Sequence, residues 1–148
     1  REVVRQIPEG LIDGKLEEYF QSNAEPLEKV RRVLETFLMA PRGRGQWHLA
    51  LWAREVFTGP SEEFIRVVRA SGTIRRIIAA YLGIPDEGPE IETIVMAVMS
   101  PCLLVVASSP EVIKETYPNL MDAKGKEVAV EQLLSILQML KLKRKDET

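Results

Sequence analysis

The single histidine of this chain, His48, lies in the stretch WHLALWAREVF together with both tryptophans, Trp47 and Trp52. His48 and Glu55 stand seven residues apart, two turns of a helix, so they project from one face. A few polar groups among large aromatics suit a pocket wall. The same residues suit a plain core, because large aromatics and a lone histidine most often fill space. Arg54-Glu55 reads first as a local ion pair or a cap on a neighbouring helix. Met96 and Met99, three apart on a later helix, bring thioether chains that repack around varied shapes, in a pocket or in a core.

Catalytic chemistry finds little support. One histidine cannot build a histidine-rich metal site, and one cysteine, Cys102, offers no CxxC pair. Cys102 has no electropositive neighbour in sequence and reads as a small buried hydrophobe. No glycine-rich phosphate loop follows a strand. The aspartates Asp13, Asp86, Asp122 and Asp146 fall in connections or in the tail. Arg66, Arg69, Arg75 and Arg76, accompanied by Glu62 and Glu63, read as a solvated helix face and not as a phosphate-binding stripe. The expectation is binding without catalysis, and no cofactor.

The elements that must position these residues are helices. At 148 residues the chain is one domain by length, residues 1–148, and its formal net charge of −2 does not mark it as a nucleic-acid binder. A lone cysteine precludes an internal disulfide and fits a reducing cytosol. The longest apolar run, residues 94–107, is shorter than the ~20 residues a bilayer span takes.

Breakers divide the chain cleanly. A short helix is expected over 15–21. Pro26 fits the first position of the next helix, where Leu27, Val30, Leu34, Phe37 and Leu38 form an apolar stripe, and Glu28–Arg32 and Arg31–Glu35 are spaced to pair. The segment 47–57 is apolar on nearly every side, as a buried helix is. A long helix over 60–82 is weakest at Ser71-Gly72-Thr73 and stops at Gly83. Pro89 opens a largely apolar helix that Pro101 should kink, and Pro110 opens a short one. The last helix spans 126–143, and residues 141–148 read as a frayed charged tail. No strand alternation appears, so the chain reads as all-α with five principal helices.

The segment 94–107 and the last helix both carry more apolar surface than one packing partner covers. Pairing these two helices with their symmetry mates would form a four-helix interface, so a homodimer is expected. The expected interface residues are Ile94, Val98, Val105, Leu133, Leu137 and Leu140.

The order HLALWAREVFTGPSEEF, a long helix ending AAYLGIP, an acidic loop and a largely apolar helix resembles the C-terminal domain of TetR-family transcriptional regulators. The residues carrying the resemblance are His48-Leu49, Arg54-Glu55, Pro60 and Phe64, and it covers roughly residues 26–140. Relatives often have proline near Ser71-Gly72-Thr73 and a Gly-Gln type pair near Ser100-Pro101, where this chain departs. Such regulators read DNA through an N-terminal helix-turn-helix, and nothing here matches a recognition helix. The opening REVVRQ, without an initiator methionine, is what an excised fragment would show. The resemblance implies that residues 1–10 end a linker helix.

It also implies a cytoplasmic ligand-sensing and dimerisation domain, most simply of a repressor that a small apolar ligand releases from DNA. The ligand would be lined by Trp47, His48, Trp52, Phe64, Met96 and Met99. The alternative is a helical protein-interaction module without a small-molecule ligand.

Overall fold

The computed structural model describes residues 14–39, 72–108 and 110–147. Within them the chain is all-α, with no strand. The helices are α1 (Gly14–Gln21), α2 (Pro26–Leu38), α3 (Thr73–Leu82), α4 (Pro89–Ala107), α5 (Pro110–Thr116) and α6 (Ala123–Asp146), with a 3₁₀ turn at Pro118–Leu120 between α5 and α6. None of them is long and apolar enough to cross a membrane.

Local backbone chemistry sets most of these limits. Pro26, Pro89 and Pro110 each open a helix where a missing N–H costs nothing. Gly83 ends α3 in the left-handed conformation at φ 70°. Gly88, at φ 110° and ψ 171°, lies in a region that essentially only glycine enters, and it turns the chain into α4. Asp122 caps α6, its carboxylate accepting the Gly125 N–H at 2.6 Å. A Cβ on Gly125 would stand 1.5 Å from the Asn119 carbonyl oxygen, so only glycine lets the 3₁₀ turn lie this close to the helix.

Helices α2 and α3 pack on each other, and α4 and α6 each pack on both. The core runs between these four helices. Val30 and Leu34 of α2, Ile78 of α3, Ile91, Val98 and Cys102 of α4, and Val130, Leu134 and Leu137 of α6 are almost wholly removed from solvent. Burying a branched aliphatic side chain contributes about 1.5–3 kcal/mol relative to leaving it exposed, and this cluster holds the fold. Burial pushes the Cys102 thiol up to about 12, which keeps it neutral and unreactive.

The α2 stripe packs inward as expected: Val30, Leu34 and Leu38 are buried, and Leu27 and Phe37 lie half-covered against the core. Its surface pairing differs from the expected one. Arg31 engages Glu28 and reaches across to Glu131 on α6 with both terminal nitrogens, instead of pairing with Glu35. The tertiary partner offers a two-point contact that an i,i+4 neighbour does not.

Two further expectations are corrected. Residues 141–146 are not a frayed tail, because α6 stays helical to Asp146. Arg144 pairs there with Glu90, and the Lys141 ammonium stands 4.3 Å from the centre of the Tyr81 ring. Cations in the last turn also suit the negative end of the helix. The assignment of Val98, Leu133 and Leu137 to a dimer interface does not survive either: all three are buried in the chain's own core, and Ile94, Val105 and Leu140 pack half-covered against it. Both α4 and α6 are apolar on more than one side, so periodicity alone did not fix which side turns inward. Helix α4 runs through Pro101, with the Ser100 hydroxyl donating to the Met96 carbonyl.

Candidate functional site

Four of the six expected ligand contacts, Trp47, His48, Trp52 and Phe64, lie outside the described residues, as does the helix expected over 47–57. The other two are separated. Met99 packs half-covered against the core, whereas Met96 is 63 % exposed. Three residues along a helix turn the chain by about five-sixths of a circle. That rotation is enough to put one thioether inward and its neighbour in solvent.

A cleft of about 430 Å³ opens where α1, α2 and α3 meet, a volume in the range of small-molecule sites. Its described lining comes from Phe20 and Gln21 at the end of α1 and from Pro26 and Lys29 in the first turn of α2. Thr73, Arg76, Ile77 and Ala80 complete it from α3. The α3 residues recur at i, i+3, i+4 and i+7, so one whole face of that helix turns to the cleft. The inward face of α3, with Ile78, Ala79 and Leu82, is the one that seals the core.

Polar contacts hold the cleft's rim. The Lys29 ammonium donates to the Phe20 carbonyl oxygen at 2.7 Å, which ties the end of α1 to the start of α2. Arg76 Nη2 reaches Thr73 Oγ1 at 3.5 Å, a weak contact, and the guanidinium makes no ion pair with a described carboxylate. Its neighbour Arg75 is half-buried. Arg75 Nε is the buried side-chain nitrogen without a hydrogen-bond partner among the described residues. Of the arginines expected on one solvated face, Arg76 is exposed at the cleft, Arg75 is half-covered, and Arg66 and Arg69 lie outside the described residues. Sequence reasoning did not single out Lys29. The available signal was a cation in the first turn of α2, where helix electrostatics disfavour one.

A second surface feature lies on α6. Val130, Leu133, Leu134 and Leu137 face the core, while Val128, Ile136, Met139 and Leu142 stand exposed on the other side. Met139 and Leu142 keep 67 % and 62 % of their surface in solvent. Leu104 and Met96 are similarly bare on α4. Single exposed apolar residues need no explanation, but four along one side of one helix form a patch.

No family model matches the chain, and no curated protein compared with it is significantly similar. Among the described residues no group of three or more His, Cys, Asp or Glu side chains is placed to hold a metal ion.

Proposed function

We propose that this chain is the effector-binding and dimerisation part of a TetR-like transcriptional regulator, a cytoplasmic repressor released from DNA by a small apolar ligand. It binds and does not catalyse. The observation that carries the reading is helix α6, the last described one, which carries apolar residues on two opposite sides. One side is used up by the chain's own core, and the other, Val128, Ile136, Met139 and Leu142, is bare.

A second copy covers that bare side in this reading. A two-fold pair needs one self-complementary patch, and an apolar strip along a long helix is of that kind. The interface moves accordingly from Val98, Leu133 and Leu137 to the residues on the far side of α6, with Met96 and Leu104 available on α4. Ligand entry then acts by favouring one arrangement of the paired bundles, which requires different affinities for the DNA-competent and DNA-incompetent states. The wall of Trp47, His48, Trp52 and Phe64 stays part of this proposal through the family resemblance.

Two experiments test it. The coding sequence upstream of Arg1 should contain a helix-turn-helix joined by a helix to this chain, and an unrelated fold there overturns the regulatory reading. A thermal-shift screen with small apolar compounds should yield a stabilising ligand whose effect Trp52→Ala removes. If Trp52→Ala leaves both the shift and the binding of a confirmed ligand intact, the wall is wrongly assigned.

A further inference from the structure

We propose that the cleft between α1, α2 and α3 is a binding site for a small amphipathic carboxylate, its acid group held between Lys29 and Arg76. The inference is independent of the proposed pairing of α6, because it uses residues on a different part of the bundle from the bare face of that helix.

Charge comes first. The cleft is entered by two cations from separate helices, and none of its described lining residues is acidic. Neither cation forms an ion pair with a described carboxylate. Glu28, the nearest acid in sequence to Lys29, is turned to Arg31 instead. Two like charges lining one concave opening raise the local concentration of the opposite ion.

Donor geometry fits a carboxylate. An ammonium has three N–H groups, and Lys29 commits one to the Phe20 carbonyl, which leaves two. The Arg76 guanidinium, weakly engaged by Thr73, presents the planar fork that matches two carboxylate oxygens. The Thr73 hydroxyl and the Gln21 amide line the same cleft and add neutral donors.

The rest of the lining selects against a bare anion. Phe20, Pro26, Ile77 and Ala80 are apolar, and inorganic sulfate would leave them facing water. A neutral apolar compound would instead desolvate two cations with nothing to offset the cost. A ligand with an acid at one end and an aromatic or short aliphatic body at the other satisfies both halves.

Isothermal titration of the chain with naphthalene-2-acetate, and with its neutral twin naphthalene-2-acetamide, tests this directly. The acid should bind saturably, and the amide about tenfold more weakly or not at all, because it lacks the charge-assisted bonds. Arg76→Gln should weaken the acid by a similar factor, and Ala80→Trp, which fills the cleft without altering its charge, should abolish binding. Arg32→Gln, on α2 but outside the cleft, should change nothing, and circular dichroism should show each variant folded. Equal affinity for acid and amide overturns the proposal, as does binding that survives both Arg76→Gln and Ala80→Trp or an absence of binding at millimolar ligand. Complete displacement by equimolar sulfate would reduce the site to an anion hole and equally contradict it. None of these outcomes bears on whether α6 pairs with a second copy.

Discussion

The two sides of α6 both carry large apolar residues and meet opposite fates. Val130, Leu133, Leu134 and Leu137 are closed into the core, whereas Val128, Ile136, Met139 and Leu142 lie open. Hydrophobicity therefore does not decide burial along this helix; the presence of α2 and α3 on one side does. The inward face explains why the chain folds. The outward face carries apolar side chains that stand exposed among the described residues, and that asymmetry is the physical basis for proposing self-association.

The comparison is broken most severely on its inward side. Leu137 is fully buried, so Leu137→Ala should cost about 2–5 kcal/mol of stability, read as a lower urea midpoint. Met139→Ser should change unfolding of the isolated monomer by no more than about 0.5 kcal/mol, since its side chain already stands in solvent. If the two variants proved equally destabilising at low protein concentration, the two faces would not differ as described.

The next largest effect comes from the start of α6, where the helix lies against the 3₁₀ turn. Gly125→Ala would place a methyl 1.5 Å from the Asn119 carbonyl oxygen, which only backbone movement relieves, at a cost of about 1–3 kcal/mol. Asp122→Ala removes the cap at the same helix start and should cost about 1 kcal/mol. Thermal unfolding of both variants measures the order. A Gly125→Ala protein as stable as the parent would mean that the 3₁₀ turn does not fix the helix.

The smallest effect lies at the margin between the faces. Arg31 holds the Glu131 carboxyl below its ordinary value of 4.5. A carboxyl depressed in the folded state adds stability above its unfolded value and loses it as pH falls through the folded one. The Tm of the parent should therefore drop more steeply on acidification below about pH 4.5 than that of Glu131→Gln. The difference will be modest because the carboxylate is exposed. Identical acid limbs would remove this ion pair from the description.

Much of the fold was legible because its boundaries are local. Pro26, Pro89, Pro110 and Gly83 act through their own backbone, and each marks an observed helix end. The end of α6 was not legible, because helix through Asp146 accompanies contacts with Glu90 and Tyr81, residues remote in sequence. The phase of α4 and α6 was hidden for a different reason: a helix apolar on two sides gives no periodicity to say which side faces in. Val98, Leu133 and Leu137 were misassigned on that account. The cleft escaped because its parts, Lys29 and Arg76, are ordinary surface cations until α2 and α3 bring them to one opening.

The central claim is that the bare face of α6 is covered by a second copy, and sedimentation equilibrium tests it most directly. The parent chain should sediment as a dimer, and Ile136→Glu combined with Met139→Glu should sediment as a monomer with unchanged helical circular dichroism. A monomeric parent, or a dimer that the double variant leaves intact, would contradict it.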